Sequence, residues 1–129
     1  MVNLYINERR IEDVTVLDLK GRIRITGRTR GLHESIRFLV EEGETRILLN
    51  LSQVTHIDSS GLDELVASWV TAGNQGGEIK LLHPTERMRE VITTASVSTL
   101  FDIYNNEHDA IASFKREVSR AVTPLPAFV

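Results

Sequence analysis

Thr55 to Val66 reads THIDSSGLDELV, and within it Asp58, Ser59, Ser60 and Gly61 put an acid, two hydroxyls and a glycine side by side. An apolar run precedes them and a helical apolar stripe follows, so they fall where a strand ends and a helix begins. A helix start has free backbone N–H groups and the positive end of the helix dipole, which suits a capping carboxylate or an anion. Asp58 or Ser59 can cap, and Ser60 with Asp63 or Glu64 has the spacing of a capping pair. The plain reading is a cap and a turn. The functional reading is a serine hydroxyl presented for modification. A phosphate on Ser59 adds about 1.5–2 negative charges at neutral pH. It would stand beside Asp58, Asp63 and Glu64, raising the local negative potential sharply while leaving the fold in place.

Other chemistry is poorly supplied. DSSG is not the G-x-S-x-G elbow of a serine hydrolase. His33, His56, His83 and His108 are scattered without metal-ligand spacing, and His56 alone falls near Ser59. There is no P-loop or dinucleotide glycine pattern. The chain has no cysteine, which removes disulfides, thiol catalysis and thiolate metal sites. No catalysis, cofactor or metal is therefore expected.

The elements that must hold this corner can be read from periodicity. NLYINERRIEDVTVLDLKGRI alternates: Leu4 and Ile6 share one parity, Val14, Val16 and Asp18 one face of the next run, Leu17 and Leu19 the other. Strands near 3–9 and 13–20, joined as an antiparallel hairpin, follow. GRIRITGRTR has two glycines and no period and reads as a loop. Leu32, Ile36, Leu39 and Val40 make a helix face that Gly43 ends. TRILLNLSQV gives a central strand near 45–51. Leu62, Leu65, Val66, Trp69 and Val70 form the stripe of the second helix, with Trp69 read as core, and the glycines between 73 and 77 end it. EIKLLH is a strand near 78–83. Pro84 opens a third helix faced by Met88, Val91, Ile92 and Ala95. A short strand at 101–104 and a fourth helix with Ile111, Phe114 and Val118 inward complete the order β-β-α-β-α-β-α-β-α, an α/β chain with a parallel or mixed sheet.

The 129 residues are enough for one domain, with 41% apolar, 26% charged and 5% aromatic residues and a formal net charge of −3. That balance gives no drive toward nucleic acid or anionic lipid, so neither is expected as a direct partner. No apolar run is long enough to span a bilayer, and MVNLYINERRIEDV lacks the apolar stretch of a signal peptide, so a cytoplasmic location is expected.

ILLNLSQVTHIDSSGLDELV, the turn GNQGGEIKLLHP and the later LFDIYNNEHDAIASF together resemble the STAS domains, in particular the stand-alone bacterial anti-sigma-factor antagonists. The likeness covers about Leu4 to Phe114, and Gly21 falls where that family has a glycine after its second strand. It implies a mixed sheet of four to five strands with about four helices packed on it, the helices on one side. One STAS domain over 1–120 and a tail over 121–129 are expected. It further implies binding to an anti-sigma factor that is also a serine kinase, ended by phosphorylation and restored by a serine phosphatase. The serine directly after the Asp is the phosphoacceptor of that family, which places the role on Ser59. Asp58, Ser60, Gly61, Leu62, Asp63, Gly21 and Arg24 are the implied docking residues. The chain departs from the pattern at Asp63, where a glycine is frequent, and at Gly21-Arg22-Ile23-Arg24, where an acid is frequent.

Three other readings compete. A receiver domain would use Asp58 as an acyl-phosphate site, but Glu12-Asp13 lies on the wrong side of the first strands and no lysine follows the last one. An enzyme lacks its motifs. A STAS scaffold or ligand-sensing module in a larger signalling assembly, not acting on a sigma factor, is the principal alternative. Arg22, Arg24, Arg28 and Arg30 form either a solvated loop or an anion site. Leu125 and Phe128 in the tail either fray or pack on the domain or on a second copy, which leaves weak homo-oligomerisation open.

Overall fold

The computed structural model describes residues 4–23 and 31–122, with 115–122 as backbone alone. Arg24, Arg28, Arg30, Leu125 and Phe128, and the side chain of Val118, lie outside the described residues.

Apolar alternation in the first twenty residues makes the hairpin: β1 (Leu4–Ile11) pairs antiparallel with β2 (Val14–Ile23), from Leu4 opposite Gly21 to Ile11 opposite Val14. β3 (Arg46–Ile57), β4 (Glu78–Leu82) and β5 (Ile103–Tyr104) add in parallel, giving the order β1-β2-β3-β4-β5. Helices α1 (Leu32–Glu41), α2 (Ser59–Asn74) and α3 (Glu86–Thr94) connect successive parallel strands, and α4 (Glu107–Val122) follows β5. α4 thus runs two residues into the segment expected as tail.

Two strands are longer than the periodicity predicts. β2 continues through Gly21, which takes φ +109° beside a register shift, and ends at the buried Ile23 rather than dissolving into a loop at residue 21. β3 runs to Ile57 although Ser52, Gln53 and Thr55 are exposed, because Val54 and Ile57 remain buried. Each extension provides the other's ladder: Gly21 pairs with Val54, Arg22 with His56, and Ile23 with Ile57. The last strand is shorter than expected. A 3-10 turn over Val97–Thr99 and the buried Phe101 precede it.

The sheet is covered on both faces. Leu17, Leu19, Ile47, Leu49, Leu51, Ile79 and Leu81 face α1, α2 and α3 in the main core. Val14, Val16, Leu48 and Leu82 face Ala110, Ile111 and Phe114 of α4 on the other side. The expectation of helices on one side therefore fails at α4. Its Ala110, Ile111 and Phe114 need apolar cover, and the open face of β2, β3 and β4 supplies it. Lys80, 1% exposed, is buried beneath this helix. Its ammonium donates to Ser113 Oγ at 2.9 Å and sits 4.8 Å from the Phe114 ring centroid.

α1 ends in a Schellman arrangement: Gly43 at φ +91° donates to the Val40 carbonyl and Glu44 to that of Leu39. Gly76 and Gly77 repeat it at the end of α2, donating to Gly73 and Ala72. Pro84 lies just before the N-cap of α3, Thr85, which accepts from the Met88 N–H at 3.2 Å, and Ala95 is the exposed C-cap rather than part of the helix's buried face.

Candidate functional site at the start of α2

Asp58 is the residue at which the extended chain of β3 turns into α2, and it is the N-cap. Its carboxylate accepts from the Gly61 N–H at 2.9 Å and from the Ser60 hydroxyl at 2.7 Å. These donors, the Ser60 hydroxyl first, hold the Asp58 carboxyl below its usual range and keep it ionised at neutral pH. His56 lies near enough to add to that effect. Arg22 is exposed and pairs with His56 across β2 and β3, so a cation precedes the corner on the neighbouring strand.

Gly61 has a positional role. A Cβ there would stand 2.0 Å from the Ile23 carbonyl oxygen and 2.8 Å from Ile57 Cγ1. The first turn of α2 therefore rests directly on the ends of β2 and β3, which only a residue without a side chain allows. Gly61 is buried, so what it gives the corner is position rather than surface.

Ser59 is the first helical residue and is exposed. Its hydroxyl makes no hydrogen bond among the described residues. Asp63 is exposed four residues on, on the same helix face. Leu62 is half-buried. Gly21 lies at the bulge beside this end of the sheet and accepts from Thr55 Oγ1 at 3.2 Å. Asp58, Ser59, Ser60, Leu62 and Asp63 thus gather at one corner with Gly21 and Arg22 next to it.

The buried side of α2 differs from the expected stripe. Gly61, Leu65, Ser68 and Ala72 face the sheet. Trp69 and Val70 are 39% and 44% exposed, so Trp69 is not core. Small residues at 61, 68 and 72 let the helix lie close to the strands, which turns the larger apolar residues outward. The i, i+7, i+11 spacing of those small residues, with Leu65 at i+4, was the available signal.

Glu64 has a role its spacing concealed. Asp58 rather than Ser60 is the N-cap, so Ser60 is not the head of a capping pair. The Glu64 carboxylate accepts from the His33 N–H at 3.1 Å and caps the start of α1, while His33 Nε2 and Thr71 Oγ1 lie 2.8 Å apart. Two polar contacts therefore fix α1 against α2.

The STAS domain family matches residues 5–110. The chain belongs to the STAS domain family. A Bordetella bronchiseptica protein assigned as an anti-sigma factor antagonist, BtrV, is 24% identical over 111 residues, covering 86% of this STAS chain and 95% of its own length. The crystal structure of an anti-sigma factor antagonist from Mycobacterium paratuberculosis superposes with a TM-score of 0.74 at 20% identity, over 86% of this chain and 93% of that one. The phosphorylated form of the Bacillus cell fate determinant SpoIIAA gives 0.64 at 19% identity, over 85% and 99%. Both structures share the STAS fold of five strands and four helices described above. Among the described residues no helix is long and apolar enough to cross a membrane.

Proposed function

We propose that this STAS domain is an anti-sigma-factor antagonist: it binds an anti-sigma factor that is also a serine kinase, and phosphorylation of Ser59 ends the complex. A serine phosphatase restores it. The domain comprises residues 1–120, acts in the cytoplasm, does no chemistry of its own and does not touch nucleic acid.

The observation that carries this reading is the state of Ser59. Its hydroxyl is exposed at the first position of α2, has no hydrogen-bond partner among the described residues, and neighbours an acid kept ionised by its own hydrogen bonds. A phosphate there adds about 1.5–2 negative charges to the single charge of Asp58. The dipole of α2 tolerates it, so the scaffold keeps its shape. A partner surface matched to a hydroxyl then meets a concentrated anion, and binding falls through repulsion and desolvation.

The face below Ser59 supports a docking role. Leu62, Asp63, Val66, Trp69 and Val70 follow it down the same side of α2, half-buried or exposed. An exposed aromatic with aliphatic neighbours is the composition of an interface centre. Asp58, Ser60, Leu62 and Asp63 form its upper end, with Arg22, near the end of β2, beside it; Arg24, two residues on in the sequence, is a further docking residue of this reading.

The test is a pull-down from the native cell with and without ATP, with mass spectrometry of the Ser59 peptide. A serine kinase should be captured without ATP and released with it as Ser59 gains phosphate. Ser59→Asp should weaken capture by at least roughly tenfold, one such factor being about 1.4 kcal/mol; Ser59→Ala should stay bound in ATP. Wild-type affinity in Ser59→Asp would defeat the switch.

A further inference from the structure

The face of the sheet that carries α4 is only partly covered by it. Beyond the first turn of that helix lies an open cleft of about 500 Å³ over β1, β2 and β3. Its floor is braced: the Asp18 carboxylate accepts from Arg9 Nε at 2.6 Å, Arg9 Nη2 at 2.9 Å, Asn50 Nδ2 at 2.8 Å and Asn7 Nδ2 at 3.3 Å. Arg9 also donates to Glu107 at 2.7 Å, which ties the floor to the start of α4. One guanidinium, Arg9, thus serves both carboxylates, Asp18 inside the cleft and Glu107 at its border.

What remains at the mouth is different. Tyr5 and Lys20 are directly opposite each other across β1 and β2, and both line the cleft. Tyr5 is 58% exposed, and the Lys20 ammonium has no ion-pair partner among the described residues. Asn7 and Asn50 point their amide nitrogens at Asp18, so each keeps a second N–H for a guest. Among the described lining residues Lys20 is the one charged group without an ion-pair partner, Tyr5 offers an exposed aromatic ring, and the Asn7 and Asn50 amides offer N–H donors beside them.

We propose that this cleft binds a small organic carboxylate with a flat apolar body. The carboxylate pairs with Lys20 and the body lies against the Tyr5 ring. The volume falls within the roughly 300–1,000 Å³ of small-molecule sites, too large for a lone inorganic ion. The assignment stands apart from the Ser59 corner, since the cleft is on the opposite face of the sheet from α2.

The full chain, labelled with nitrogen-15, is titrated with benzoate, phenylacetate and indole-3-acetate while the side-chain amide resonances of Asn7 and Asn50 are followed. At least one acid should shift both resonances saturably and leave the backbone amide resonances of Ser59 and Ser60 unmoved. Lys20→Ala and Tyr5→Ala, both at exposed positions, should each weaken it, the first by about tenfold as for one charge-assisted hydrogen bond. Indole-3-acetamide should bind more weakly by a similar factor. The assignment is overturned if none of the three acids gives a saturable shift, if the neutral amide binds as well as its acid, or if inorganic phosphate reproduces the shifts with equal affinity.

Discussion

Asp58, Ser59 and Gly61 divide one corner among three tasks, and each task has its own test. Asp58 caps α2, so Asp58→Ala should cost about 1 kcal/mol in chemical denaturation. Gly61→Ala should cost more, at or above the top of the about 1–3 kcal/mol usual for overpacking, because the new methyl meets backbone oxygen rather than a movable side chain. Ser59 replacements should leave stability nearly unchanged, since its hydroxyl has no partner among the described residues to lose. The cluster itself was legible in the sequence because acid, hydroxyls and glycine at a strand–helix junction have few uses. Which of them faced solvent was not legible. That depends on how closely α2 rests on Ile23, a contact between segments 38 residues apart.

At the scale of elements, the hairpin and the helices were readable from period and caps, and the two strands read too short, β2 and β3, share one cause. Residues with polar types were placed outside elements that long-range pairing keeps going. Arg22 and Thr55 look like loop, yet β2 and β3 extend by pairing with each other. Trp69 looked like core because it falls on an apolar stripe, whereas Ser68 occupies the buried position. Trp69→Ala should therefore lower thermal stability far less than Leu65→Ala, for which a loss of about 2–5 kcal/mol is expected. The same variant should weaken partner capture in the pull-down. Glu64→Ala should loosen α1 at a cost of about 1 kcal/mol and raise hydrogen exchange at its first turn, because it removes the cap on the His33 N–H.

For the molecule as a whole, α4 was the surprise, and Lys80 is what it hides. Lys80→Ala should cost about 2–4 kcal/mol through the cavity, while Lys80→Met keeps the packing and should change stability by about 1 kcal/mol or less. Unfolding in urea separates the two. The Arg9, Asn7 and Asn50 donors hold the Asp18 carboxyl below its usual range, the Arg9 hydrogen bonds being the largest cause. A depressed carboxyl contributes stability above its unfolded pKa of about 3.9 and loses it as pH falls from there through the folded value. Wild type should therefore lose stability more steeply than Asp18→Asn below about pH 4 in a pH series of denaturation curves.

The strands lie in space in the order in which they occur in the chain. No strand has to be threaded between two that are already paired. Each new one extends an edge left by its predecessor, so the sheet can be built vectorially as it leaves the ribosome. Nascent chains arrested at increasing lengths should gain resistance to protease stepwise, first when β3 emerges to pair with the free edge of β2.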